Sequence, residues 1–182
     1  MEDKKRREIK EERTAASKLF ENEDHSFTKE IYLDDIHYQD DEGIWQEMDD
    51  TLTEELDEGT EADQEENVAE EYADRETAEK DFANRKGKWK AVFRKHSRKQ
   101  GTVSVTKDAY KISWALENAE KVKAEETGTN AVLYPDILPG TDSRFCVRGK
   151  SIKEDITLKT PEAIGSFTWL YHTKKLRPIA GN

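Results

Sequence analysis

The sequence predicts a mainly β fold: an antiparallel β-sandwich-like domain with a short N-terminal helix and an acidic disordered insertion. Three observations predict it. Tyr110, Ile112, Trp114 and Leu116 alternate with Lys111, Ser113, Ala115 and Glu117, the period of two that turns one strand face toward a core. Shorter runs of the same kind recur with turn residues between them, which is the spacing of an antiparallel sandwich. Charge is segregated along the 182 residues: the formal −11 divides into −9 over 1–53, −12 over 54–81 and +10 over 82–182.

Residues 3–16 are charged and poor in β-branched side chains, which predicts a short exposed helix within a charged segment at 1–16. A first β segment follows at 17–53. Phe27, Ile31 and Leu33 share one face of an extended run, and Glu21–Ser26 is a polar turn before it. Ile36–Tyr38 and Ile44–Met48 flank Asp40-Asp41-Glu42-Gly43, a hairpin turn in which Gly43 supplies a positive φ. Residues 54–81 hold 14 acidic and 2 basic side chains, too charged for a core, and read as a disordered tether. The second β segment, 82–182, contains runs at Trp89–Phe93, Val103–Val105, Tyr110–Leu116, Phe145–Val147, Ile152–Leu158 and Phe167–Tyr171. Pro135 and Pro139-Gly140 punctuate a loop around Ile137 and Leu138. The two β segments are expected to pack as one domain, with Phe93, Ile112, Trp114, Ile156 and Trp169 in its core.

Composition excludes several classes. No apolar run approaches the 18 residues of a membrane span. Cys146 is the only cysteine, so no disulfide framework exists, and its place between Phe145 and Val147 reads as a small half-buried residue. No apolar h-region follows Met1–Arg7, so the chain shows no secretion signal of its own and a cytoplasmic location is compatible with it.

Candidate sites are few. His25, His37, His96 and His172 stand far apart without ligand spacing, so neither a metal nor a catalytic set is expected, and no cofactor. The acidic turns at 21–24 and 40–42 lack a spaced calcium-loop pattern and read as solvated. Arg85, Lys86, Lys88, Lys90, Arg94, Lys95, Arg98 and Lys99 are 8 cations within 15 residues that contain no acid, a candidate polyanion-binding surface. The acidic segment immediately upstream can neutralise it in cis, so nucleic acid is disfavoured as the partner. Trp89, Trp114 and Trp169 follow the apolar face of their strands and read as core; Trp45 falls out of step with Ile44 and Met48 and is the candidate sugar-stacking residue.

Two stretches carry a resemblance. One runs from Glu12-Arg13-Thr14 through Lys18, Phe27–Tyr32, Ile36-His37-Tyr38, Gly43–Asp49 and Thr51-Leu52; the other joins Tyr134–Asp142 to Ile152–Leu158. Together they resemble the N-terminal region of large bacterial secreted proteins with RHS/YD repeats and DNRLRE domains, including wall-associated proteins and polymorphic toxins. The resemblance implies a non-catalytic structural or presentation module of an exported repeat protein, extracellular or cell-wall associated, whose partner is the remainder of that protein or a wall polymer. The alternative is a polyanion- or carbohydrate-binding module using the basic half. No enzyme is expected.

Overall fold

The computed structural model describes residues 6–56, 79–163 and 165–177; strands make up 57% and helical turns 3%. Two antiparallel sheets face each other across the core. The larger contains β6 (Asp49–Glu55), β7 (Asp81–Lys86), β8 (Lys90–Phe93), β9 (Val103–Lys107), β10 (Tyr110–Leu116) and, returning beside β10, β15 (Trp169–Lys174), in the order β15-β10-β9-β8-β7-β6. The smaller is β11-β12-β13-β14, from β11 (Glu125–Glu126), β12 (Ala131–Leu138), β13 (Thr141–Arg148) and β14 (Ser151–Leu158). A three-stranded sheet of β1 (Arg6–Glu8), β2 (Ser17–Asn22) and β3 (Phe27–Ile31) and a hairpin of β4 (His37–Gln39) and β5 (Trp45–Glu47) precede them.

The core forms where the central strands of the two large sheets meet. Phe93 and Phe145 pack with ring centres 6.0 Å apart, and Tyr134 meets Phe145 edge-on at 5.9 Å. Tyr134 is fully buried, and its hydroxyl donates to the Arg94 carbonyl at 2.6 Å, so its polar end is satisfied inside the core. Phe82, Val103, Val132, Ile137 and Val147 complete the layer. Of the expected core residues, Phe93 lies within it. Ile112, Trp114, Ile156 and Trp169 are half-buried, because β14 and β15 are sheet edges and β10 lies next to one.

Among the described residues 6–16 the expected N-terminal helix is not present. Arg6–Glu8 is a strand paired with β2, followed by a 3₁₀ turn at Lys10–Glu12. Cross-strand partners decide this: Arg7 pairs with Glu21 at 2.6 Å, Arg6 with Glu30 at 2.7 Å, and the Arg6 guanidinium lies 4.1 Å from the Phe20 ring centre. Ile9 alone offers too little apolar surface to hold a helix. Nor is 135–138 a loop. Strand β12 passes through Pro135 by a register shift between Tyr134 and Leu138, in which Asp136 takes a positive φ and its N–H donates to Asp142 Oδ1 at 2.7 Å. The face shared by Phe27, Ile31 and Leu33 is exposed rather than buried.

Strand β6 runs to Glu55 and pairs with β7 from Asp81, so the acidic segment connects two neighbouring strands. The expected disorder of that segment and its contact with the basic cluster fall on 57–78, outside the described residues. Among the described residues no helix is long and apolar enough to cross a membrane.

Candidate nucleic-acid interface

The β7–β8 hairpin is tied by one buried asparagine. Asn84 Nδ2 donates to the Trp89 carbonyl at 3.1 Å, and its Oδ1 accepts the Ala91 N–H at 2.7 Å. This clamp turns the chain through Gly87 and leaves Arg85, Lys86, Lys88 and Lys90 exposed at the tip. Lys90 pairs with Glu55 and Arg85 approaches Asp49 at 3.5 Å, whereas Lys86 and Lys88 form no ion pair with a described residue.

The other four cations of the predicted cluster sit beyond the far end of β8. Arg94 is buried against Asp81 at 2.7 Å; Lys95 pairs with Glu54 at 2.5 Å and lies over the Phe82 ring. Arg98 and Lys99 are exposed in the following loop. One continuous surface of eight charges therefore does not form; β8 divides it.

The tip group gains partners from elsewhere in the chain. A cavity of about 350 Å³ opens where the β4–β5 hairpin faces the β7–β8 tip, with Tyr38, Trp45 and Trp89 as its aromatic walls and Lys88, Lys107 and Lys150 at its rim. A second recess of about 390 Å³ continues past Tyr38, Lys88, Trp89 and Lys107 to Arg85, Lys86 and Lys90. Trp45 and Trp89 are both half-buried. Trp45, the candidate stacking residue, is thus in the cleft, and Trp89, assigned to the core, lines it as well while packing against core side chains. Tyr38, Lys107 and Lys150 were not singled out from the sequence. Aromatic faces between cations that track a backbone are the elements of a single-strand nucleic-acid groove.

Asp40 fixes the far wall. Its Oδ1 accepts the N–H groups of Glu42 and Ile44 and its Oδ2 accepts Gln46 Nε2 at 2.8 Å, and these bonds hold its carboxyl below the usual carboxylate range. The acidic turn at 40–42 is therefore a hydrogen-bonded turn that sets the register of Trp45.

Behind the cleft, His37 is 1% exposed. Its Nδ1 lies 2.7 Å from the Thr14 carbonyl, and its Nε2 is buried without a hydrogen-bond partner. Glu47 is its cross-strand partner on β5. Arg13 forks onto Glu8 at 2.7 and 2.8 Å and reaches Glu47 at 3.4 Å, and Lys18 pairs with Glu47. The Arg13 fork holds the Glu8 carboxyl below its ordinary range. Of the remaining histidines, His25, 3.3 Å from Glu21, and His172 on β15 are exposed, and His96, 2.9 Å from Glu79, is half-buried. Cys146 is buried.

No protein-family profile matches the chain, and no solved structure matches it. It is 26% identical over 168 residues to the tRNA(Glu)-specific nuclease WapA of Bacillus subtilis subsp. natto, to the tRNA3(Ser)-specific nuclease WapA of Bacillus spizizenii and to the tRNA nuclease WapA of Bacillus subtilis. The match takes in 91% of this chain but 7% of each relative's length. These findings correct four expectations. Similarity to RHS/YD-repeat and DNRLRE proteins is not what the comparisons return. A non-catalytic structural module, and the exclusion of an enzyme, conflict with relatives named as nucleases. So does the expectation that nucleic acid is disfavoured as a partner, which rested on neutralisation in cis by a segment now outside the described residues.

Proposed function

We propose that this chain is an RNA-engaging part of a tRNA nuclease, and that the cleft between the β4–β5 hairpin and the β7–β8 tip receives the RNA. The observation that carries the reading is the similarity to tRNA nucleases along 91% of the chain. The geometry supports it independently. Lys86 and Lys88 have no ion-pair partner among the described residues, as a phosphate-binding cation should not, and Trp45, Trp89 and Tyr38 offer faces on which unpaired bases stack. Of the eight cations first singled out, Arg85, Lys86, Lys88 and Lys90 belong to this surface. Arg98 and Lys99 form a separate exposed pair, and Arg94 and Lys95 serve the fold. An extracellular or wall-associated location is part of the same reading, and cell fractionation with an antibody to the chain reads it.

The test uses the full chain with a mixed tRNA pool and with duplex DNA of equal charge. Retention of tRNA on a filter, falling steeply with salt, is expected, and a denaturing gel of the same incubation reads scission. Absence of both retention and scission of tRNA at low salt would overturn the proposal.

A further inference from the structure

Among the described residues, one buried side-chain nitrogen or oxygen lacks a partner: His37 Nε2. Burying such an atom unmet forgoes the hydrogen bond that water gives it in the unfolded chain. The Thr14 carbonyl, 2.7 Å from Nδ1, can only accept, so Nδ1 carries a hydrogen, and in the neutral ring Nε2 presents a lone pair. An imidazole held by a backbone carbonyl through one nitrogen, with the other free, is how a metal-ligating histidine is oriented.

Two carboxylates converge on it. A ring nitrogen of His37 and one carboxylate oxygen each from Glu8 and Glu47 all lie within 4.8 Å of one another. The arrangement is built into the fold, since His37 and Glu47 are directly opposed on β4 and β5 and Glu8 ends β1. From these observations we infer that Glu8, His37 and Glu47 form a binding site for a divalent transition-metal ion of the zinc class, with a fourth position open to water. Imidazole with carboxylates suits zinc or cobalt rather than magnesium or calcium, which take oxygen alone.

The resident cations shape the affinity. Arg13 and Lys18 already neutralise the two carboxylates, so an ion must displace one of them. Lys18 is the one that yields: it holds only Glu47, whose side chain is 52% exposed, whereas Arg13 is buried and forks onto Glu8. With Arg13 retained as the hydrogen-bonding support of Glu8, the ion takes Nε2, Glu8 and Glu47. Tetrahedral bonds near 2.0–2.1 Å place ligand atoms about 3.3 Å apart, so the donors must close from their 4.8 Å spread, and Glu47 supplies that movement.

Titration of the chelator-treated full chain with Zn²⁺, and with Co²⁺ followed by its visible absorption, tests the site. One equivalent should bind, with the intense bands of four-coordinate Co²⁺, while Mg²⁺ and Ca²⁺ leave the melting temperature unchanged. Glu47→Gln, at an exposed position that leaves the core untouched, should weaken binding by about tenfold or more. Lys18→Met should strengthen it several-fold by removing the competing cation, an effect no structural role of Lys18 predicts. Absence of binding by the native chain overturns the inference. So does binding that survives Glu47→Gln and disappears in His96→Ala, which would assign the ion to the His96–Glu79 pair instead.

Discussion

Trp169 donates its indole N–H to Glu154 Oε2 across 3.2 Å, joining an edge strand of the six-stranded sheet to an edge strand of the four-stranded one. The other oxygen, Oε1, accepts the Ser143 hydroxyl at 2.8 Å. Half-buried Trp169 is thus more than a core filler: like the Tyr134 hydroxyl on the Arg94 carbonyl, it makes a polar tie between the two sheets. Burial raises the Glu154 carboxyl above the ordinary range, and the bonds from Ser143 and Trp169 offset only part of that.

A pH dependence follows from this tie. Because the folded carboxyl holds its proton more tightly than the unfolded one, its contribution to stability is fully present below about pH 4 and is lost as pH rises through the raised folded value. Glu154→Gln keeps a hydrogen-bonding group of the same shape and never ionises. Its unfolding midpoint in urea should gain on that of the native chain between about pH 4 and pH 7. Parallel midpoints over that range would show that Glu154 titrates as it does in the unfolded chain.

Asp81 is the second buried carboxylate to carry weight. It pairs with Arg94 at 2.7 Å with both side chains largely buried, and it accepts the Lys95 N–H at 2.7 Å. Asp81→Ala takes away the buried acceptor of both the Arg94 guanidinium and the Lys95 N–H, so it should cost about 2–4 kcal/mol. Glu55→Ala, which breaks the exposed pair with Lys90, should cost less than about 1 kcal/mol. Equal losses in denaturant melts would refute the distinction.

Legibility in the sequence tracked the range of each interaction. The alternation at Tyr110–Leu116 became β10, and Asp40–Gly43 became the expected turn with Gly43 at φ +79°, because both are decided within a few residues. Strand β1 was missed because its partners, Glu21 and Glu30, are supplied by distant strands. Strand β12 was hidden because Pro135 is a strand breaker except at a bulge, and the bulge depends on Asp142 across the hairpin. The cleft shows the same limit. Its basic tip was legible as a run, whereas Tyr38, Lys107 and Lys150 come from three separate turns and strands. The Glu8, His37 and Glu47 group had one readable signal: a hairpin centred on residue 42 sets 37 opposite 47.

Core depth separates two aromatic positions that the alternation treated alike. Phe93 is fully buried between the sheets, and Phe93→Ala should cost about 3–5 kcal/mol. Trp114 is half-buried on β10 and stacks on Tyr171 with ring centres 6.5 Å apart. Trp114→Ala should cost roughly half as much. A larger loss at Trp114 in thermal unfolding would place the centre of the core elsewhere.

The division of the basic cluster by β8 gives the RNA reading its sharpest consequence. Lys88 lines both recesses of the cleft, while Lys99 is equally charged and exposed but lies in the loop beyond the far end of β8. If affinity came from net charge, the two would be interchangeable. If RNA tracks the cleft, Lys88→Ala removes one phosphate contact, and the slope of log affinity against log salt should fall by about one unit, whereas Lys99→Ala should leave it unchanged. Trp45→Ala should act differently again. It removes a stacking face worth about 1–3 kcal/mol per base and leaves the charge intact, so affinity should drop at every salt concentration with the slope preserved. Filter binding of one tRNA to the four proteins across a salt series separates these outcomes. Equal slopes for Lys88→Ala and Lys99→Ala, with full affinity in Trp45→Ala, would remove the cleft from the interface and leave only diffuse attraction to the basic half.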